Sequence, residues 1–128
     1  MTNNSPIVFI VDDEPLLTEM LSDYLKDRFA GFNIKSFPTG EACLQSLDEQ
    51  PSVVVLDYYL NSKEKEAANG IDILKEIKKQ NKSLPVIMLS SQESYGTAAQ
   101  TIIYGAVHYV IKGQDAFEDI FQLIKANV

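Results

Sequence analysis

The sequence has few of the residues that disulfides, thiolate metal sites and nucleic-acid contacts require. It contains one cysteine, Cys43, which excludes an internal disulfide and leaves no second thiol for a metal site. We therefore expect Cys43 to be a buried apolar side chain on a helix. The 11 Lys and Arg residues are outnumbered by 18 Asp and Glu residues, and the formal net charge of −7 opposes contact with phosphate backbones. Direct binding of nucleic acid is therefore not expected.

Long hydrophobic runs are missing as well. The apolar segments extend over only four or five residues, whereas a helix needs about 20 to span a membrane. Residues 1–6 are polar and uncharged, unlike the basic start and apolar stretch of a secretion signal. We therefore predict a cytoplasmic protein without membrane contact. Its 128 residues, 45% of them hydrophobic, fit a single domain over residues 1–128, with residues 1–6 expected to be flexible.

Short apolar segments alternate with segments of helical period, which is typical of repeated βα units and a mostly parallel sheet. Five strands are predicted, at Ile7–Val11, Asn33–Phe37, Ser52–Asp57, Pro85–Ser90 and Val107–Ile111. The apolar stripe of the first helix is predicted to consist of Leu17, Met20, Leu21, Tyr24 and Leu25.

The ends of the other helices carry recognisable signals. Thr39 is the predicted N-cap of the second helix, which offers Cys43, Leu44 and Leu47 to the core, and Gly70 opens the third. The fourth helix is rich in β-branched residues and is expected to end at Gly105 and to be the mobile one.

Polar residues that can handle a phosphoryl group follow four of the strands: Asp12 and Asp13, Asp57, Ser90 and Lys112. In an open parallel sheet, the carboxyl ends of the strands converge on one site. Two carboxylates about 4 Å apart near a surface repel by roughly 4 kcal/mol, so three of them need a positive partner. An oxygen-only cluster suits Mg²⁺, and Lys112 adds a second positive charge. A carboxylate held in this way can act as a nucleophile toward phosphorus, with Ser90 donating to the transferring group.

Four motifs together resemble the receiver domain of bacterial two-component response regulators over almost the whole chain: Val11-Asp12-Asp13-Glu14, Val55-Leu56-Asp57, Pro85 to Ser91 and Gly105 to Lys112. The resemblance implies an α/β fold of the flavodoxin-like (βα)₅ type. In that fold a doubly wound parallel sheet has five strands in the order 2-1-3-4-5.

The same resemblance implies that Asp57 accepts a phosphoryl group from a sensor histidine kinase or a phosphotransfer protein. Mg²⁺ would be ligated by Asp13, by Asp12 partly through water, by Asp57 and by the backbone carbonyl of Tyr59. Ser90 and Lys112 would bind the phosphate.

The implied switch is a movement of Ser90 toward the phosphoryl group, followed by an inward swing of Tyr109. The face formed by the fourth helix, the fifth strand and the fifth helix would then control a downstream protein or a missing effector domain, or form a homodimer.

Tyr59 and Gln92 resemble the positions that tune dephosphorylation. The lone His108 is interpreted as a surface residue and not as the phosphodonor.

The sequence departs from the family pattern in three places. The segment Tyr58–Asn69 is longer than usual, and its Lys63–Ala68 portion favours a short helix beside the site. A solvated insert without a function is the favoured interpretation, and a role in kinase docking or in access to the phosphoryl group is the alternative hypothesis. Gly113 replaces the usual proline, which predicts a trans Lys112–Gly113 bond with glycine absorbing the altered turn. The third departure is bulk, since Ser91 stands where a small residue such as alanine is common. The aromatic ring of Tyr59 predicts a shielded, long-lived phosphoprotein.

Three other functions fit parts of the sequence. A haloacid-dehalogenase-like phosphohydrolase also uses an Asp nucleophile and Mg²⁺, but in an Asp-x-Asp arrangement, whereas Asp12 and Asp13 are adjacent. A flavodoxin-type binder would need a hydroxyl-rich loop where this chain has acidic residues. A receiver-like interaction module that is never phosphorylated would not need the intact set of site residues.

Overall fold

The structure, a computed structural model, describes residues 5–60, 69–91 and 95–128. These residues form alternating strands and helices. The strands are β1 (Ile7–Val11), β2 (Asn33–Phe37), β3 (Val53–Asp57), β4 (Val86–Ser90) and β5 (His108–Ile111). The helices are α1 (Pro15–Arg28), α2 (Gly40–Gln45), α3 (Gly70–Gln80), α4 (Tyr95–Ile103) and α5 (Ala116–Asn127), and a 3₁₀ turn covers Leu47–Glu49.

All four strand pairings are parallel, in the order β2-β1-β3-β4-β5, which confirms the predicted sheet. Three strands begin one residue later than predicted, because Ser52, Pro85 and Val107 lie just outside the ladder. Each still makes a flanking backbone hydrogen bond to a neighbouring strand, as when the Ser52 amide donates to the Ile7 carbonyl at 2.8 Å. The prediction included these three residues because they adjoin apolar segments, although they are not themselves paired in the sheet.

The core has two layers because successive side chains of each strand point to opposite faces of the sheet. Val8, Ile10 and Val55 pack with the buried residues of α1 and α5. Phe9, Val11 and Leu56 pack with those of α2 and α3 on the other face. The central strands β3 and β4 are buried along their whole length, so their carboxyl ends are held rigidly where the site lies.

The helix stripes are largely as predicted, with two corrections. Leu21 and Leu25 of α1 are fully buried, but Met20 is 52% exposed and lies outside the stripe. Met20 precedes Leu21 by one position, which rotates it away from the sheet. Leu47 belongs to the 3₁₀ turn and not to α2, although it still packs against the core.

Three predicted helix ends are confirmed. The Thr39 hydroxyl accepts a hydrogen bond from the Ala42 amide at 3.2 Å and caps α2. Gly70 opens α3, and Gly105 follows α4 with a φ of 108°, a left-handed conformation that favours glycine.

Several smaller predictions can be placed as well. Cys43 is fully buried on α2, where burial raises the pKa of its thiol to about 12. His108 is exposed, as predicted. The Lys112–Gly113 bond is trans, but Gly113 does not adopt a positive φ, so the turn makes no use of glycine's special freedom. The predictions for Lys63–Ala68 and Gln92 lie outside the described residues.

Among the described residues, no helix combines the length and the apolar character needed to cross a lipid bilayer.

Candidate functional site

Three aspartates meet at the carboxyl edge of the sheet. Asp12 and Asp13 directly follow β1, and Asp57 is the last residue of β3, which pairs with β1. One carboxylate oxygen of each lies within 4.8 Å of the other two. All three residues are at least nine-tenths buried. The structure therefore brings the three sequence-predicted acidic residues into a single cluster.

The carboxylates of this cluster are only partly satisfied by hydrogen bonds. Asp12 Oδ1 accepts from the Glu14 amide at 2.9 Å, and Asp57 Oδ1 accepts from the Tyr59 amide at 3.3 Å. The buried Asp12 Oδ2 receives no hydrogen bond from the described residues. Burial, together with the neighbouring charge of Asp12, raises the pKa of Asp57 to about 7, and burial also raises the pKa of Asp12. The cluster is thus short of positive charge and donors, and its oxygen-only ligands fit a hard cation such as Mg²⁺.

Lys112 follows β5 and points into the cluster. Its amide donates to the Ser90 carbonyl at 2.7 Å, which fixes the end of β5 against β4. Its Nζ atom lies 3.4 Å from Asp12 Oδ2 and 3.5 Å from Asp57 Oδ1, and its side chain is only 17% exposed. Burial disfavours the charged ammonium, but the hydrogen bond to Glu14 and the charges of Asp57 and Asp12 outweigh it, so the pKa of Lys112 is raised. Lys112 therefore stays charged beside Asp57.

The strands and the loop next to the acidic cluster carry Ser90, Tyr59 and Tyr109. Ser90 ends β4 and is fully buried, one residue beyond Leu89, which pairs with Asp57. Tyr59 is half-buried, and its ring contacts the ring of Tyr58 edge-on at 4.8 Å. Tyr109 is a half-buried residue of β5 that packs against the core formed with α2 and α3. A hydroxyl donor and two aromatic rings therefore lie on the strands and loop that border the acidic cluster.

Sequence reasoning assigned no role to Gly70 beyond opening α3. Its amide donates to the Tyr58 carbonyl at 2.9 Å, and a Cβ atom at this position would lie 2.2 Å from the Asp57 carbonyl oxygen. The absence of a side chain therefore lets α3 begin directly against the end of β3. The hydrogen bond between Gly70 and Tyr58 thus ties the start of α3 to the residue that follows Asp57.

Glu14 is the second residue that was missed. Its Oε1 atom lies 2.7 Å from Lys112 Nζ, a shorter distance than either aspartate makes. The signal was its place immediately after Asp12 and Asp13, where the chain turns from β1 into α1. Sequence spacing could not show that its side chain reaches a lysine 98 positions away.

A cleft of about 390 Å³ opens beside the carboxylates, between α1 and the loop after β2. Its lining includes Asp12, Asp13, Thr18, Phe37 and Pro38. The cleft therefore reaches two members of the cluster, Asp12 and Asp13, from the side of α1.

Comparison with known proteins identifies the family. The family model described as "Response regulator receiver domain" matches residues 8–125. The probable transcriptional regulatory protein TcrX of Mycobacterium tuberculosis is 32% identical over 117 residues, which cover 91% of this chain and 47% of TcrX. A putative NtrX-like response regulator of Rickettsia conorii is 39% identical over 106 residues, covering 82% of this chain and 21% of that protein.

Solved structures agree with this assignment. The receiver domain of NtrX from Brucella abortus superposes with a TM-score of 0.78 at 28% identity, covering 93% of this chain and 94% of that one. The chain spans less than half the length of TcrX and of the NtrX-like protein. Nothing in these matches supports a haloacid-dehalogenase-like phosphohydrolase. The chain belongs to the receiver domains of two-component response regulators, which act in phosphorelay signal transduction, and it is not a classical enzyme.

Proposed function

We propose that Asp57 is the phosphoacceptor of this receiver domain and that the donor is a phosphohistidine of a sensor histidine kinase or phosphotransfer protein. The observation that carries the proposal is the position of Asp57, which is buried at the end of a central strand, 3.5 Å from the Lys112 ammonium and clustered with Asp12 and Asp13.

In the proposed reaction a carboxylate oxygen of Asp57 attacks the phosphorus atom. The new bond is an acyl phosphate P–O bond, the P–N bond of the donor breaks, and the imidazole nitrogen leaves with the electron pair. Lys112 would neutralise charge on the transferring group, and the Ser90 hydroxyl would donate to one of its oxygens.

Mg²⁺ is the proposed cofactor. Asp12, Asp13, Asp57 and the backbone carbonyl of Tyr59 would hold it. These residues suit Mg²⁺ for two reasons. All of their ligand atoms are oxygens, and Asp12 Oδ2 is buried and receives no hydrogen bond from the described residues. When bound, a divalent cation neutralises the carboxylates and the phosphoryl oxygens.

The proposed output surface is formed by α4, β5 and α5. Its support is a group of large apolar side chains that are exposed on or next to α4 and β5, namely Ile102, Ile103, Tyr104, Val107 and Ile111. Movement of Ser90 toward the phosphoryl group and of Tyr109 toward the core would change this surface. Its proposed occupant is a downstream protein or an effector domain outside this chain, with a homodimer through the same face as the second candidate. TcrX, which carries additional chain, is named as a transcriptional regulatory protein.

Tyr59 and Gln92 are the proposed positions that tune the rate of dephosphorylation. For Tyr59 the support is its place directly beside Asp57 Oδ1, which accepts a hydrogen bond from the Tyr59 amide.

The proposed location of the protein is the cytoplasm.

Incubation with acetyl phosphate and Mg²⁺, followed by intact-protein mass spectrometry and mapping of the label, tests the acceptor. The wild-type protein should gain the mass of one phosphoryl group, and Asp57→Asn should gain none. Asp27→Asn, which changes an exposed carboxylate on α1, is the matched control and should be labelled like the wild type. A label on a side chain other than Asp57 would contradict the proposal.

A further inference from the structure

Glu14 holds the Lys112 ammonium more closely than the aspartates do. The distance from Lys112 Nζ to Glu14 Oε1 is 2.7 Å, compared with 3.4 Å to Asp12 Oδ2 and 3.5 Å to Asp57 Oδ1. A separation of 2.7 Å is that of a charge-assisted hydrogen bond, whereas the two longer distances are those of ion pairs without a short hydrogen bond. The lysine is therefore engaged mainly by a carboxylate that has no part in the proposed chemistry.

The backbone of Glu14 is firmly placed for this contact. Its amide donates to Asp12 Oδ1 at 2.9 Å, and its carbonyl accepts from the amide and the hydroxyl of Thr18 at 3.1 and 3.0 Å. Glu14 therefore starts α1 directly above the acidic cluster. Its side chain is 55% exposed, so water can replace it at Lys112 without any rearrangement of the core.

We propose that Glu14 is a positioning residue that competes with the phosphoryl group for Lys112 and so lowers the affinity of the site for that group. The inference rests on the proposed function of Asp57. A phosphoryl group on Asp57 would draw the ammonium toward its own oxygens and away from the short hydrogen bond with Glu14. The Glu14 carboxylate also adds a negative charge next to an anionic ligand, which acts in the same direction.

Beryllofluoride, a phosphoryl mimic, provides the test when it is titrated into the protein with Mg²⁺ and followed by two-dimensional amide NMR. Glu14→Gln should bind it about two- to fivefold more tightly than the wild type, the range expected when a half-exposed ion pair is removed. Glu14→Ala, which also removes the hydrogen-bonding oxygen, should tighten binding at least as much. Glu19→Gln removes the same charge from an exposed position on α1 and should change the affinity less than Glu14→Gln.

A Lys112→Met background distinguishes competition for the lysine from a general charge effect. In that background Glu14→Gln should improve binding less than it does in the wild type, because only the direct repulsion between the Glu14 charge and the anion is left to remove. An equal improvement with and without Lys112, or unchanged affinity in both Glu14 variants, would overturn the role of Glu14 while leaving that of Asp57 intact. If the wild-type protein bound no beryllofluoride at all, the proposed function would fail and this inference with it.

Discussion

At the scale of single residues, the clustering of four charged side chains was predictable from the sequence, but the contact of Glu14 with one of them was not. Asp12, Asp13, Asp57 and Lys112 could be identified because each directly follows an apolar strand, and strand ends meet at one edge. The short contact between Glu14 and Lys112 depends on the rotamer of an exposed side chain and on the tertiary approach of β5 to α1. No local pattern in the sequence indicates either the side-chain rotamer or the way in which β5 approaches α1.

Tyr59 is predicted to lengthen the lifetime of the acyl phosphate. Its half-buried ring follows Asp57 by two positions and would restrict the approach of water to phosphorus. Tyr59→Ala should therefore lose its label several-fold faster than the wild type after removal of acetyl phosphate, as measured by the decay of the phosphorylated mass. Tyr59→Phe, which keeps the ring and removes only the hydroxyl, is the control and should lose its label at nearly the wild-type rate. Equal decay rates in the wild type and Tyr59→Ala would exclude shielding by this ring.

At the scale of elements, the strands and most helix ends could be predicted from local signals, whereas the exact set of α1 residues that face the core could not. Thr39, Gly70 and Gly105 act through backbone chemistry that depends on near neighbours. Met20 was placed in the core because it is apolar and nearly in phase, yet it is 52% exposed. Hydrophobicity alone does not fix the rotation of a helix to within one position when apolar residues such as Leu16 and Met20 also occur on its outer face.

The junction of β3 with α3 should tolerate no side chain at Gly70. A Cβ atom there would lie 2.2 Å from the Asp57 carbonyl oxygen and 2.7 Å from the Tyr58 Cα, both of which are backbone atoms that cannot turn away. Gly70→Ala should therefore lower the free energy of unfolding by roughly 2 kcal/mol or more, measured by urea denaturation.

Gly113→Ala is the matched control for Gly70→Ala. A Cβ at Gly113 would meet nothing within 4 Å, and the residue has no positive φ, so its substitution should leave the stability nearly unchanged. Comparable losses in the two variants would mean that the close approach at Gly70 does not determine the stability of the junction.

At the scale of the whole molecule, the alternation of strands and helices was readable from the sequence, but the strand order came from the family resemblance. The central strands have similar apolar residues, so their composition does not distinguish one neighbour from another. Their parallel order is set by crossover helices whose packing involves residues far apart in the chain. The resemblance was needed because it carries that long-range information.

The buried carboxylates should make global stability depend on pH in an unusual direction. Burial raises the pKa of Asp57 from 3.8 to about 7, so the folded state holds this proton more tightly than the unfolded state does. The resulting stability is fully present below about pH 4 and is lost as the pH rises through about 7. Without metal, the contribution of Asp57 to the free energy of unfolding should fall by about 1 kcal/mol per pH unit across the middle of that window.

Urea denaturation of the wild type, Asp57→Asn and Asp27→Asn between pH 5 and 8 isolates this contribution. Asp57→Asn should be more stable than the wild type at pH 8 by a few kcal/mol, and the difference should shrink toward pH 5. Asp27→Asn, altered at an exposed position, should follow the wild type. Millimolar Mg²⁺ should stabilise the wild type at pH 8, because a bound cation compensates the ionised cluster, and should stabilise Asp57→Asn less. A pH-independent difference between the wild type and Asp57→Asn would show that the stability of the fold is not coupled to the ionisation of the proposed acceptor.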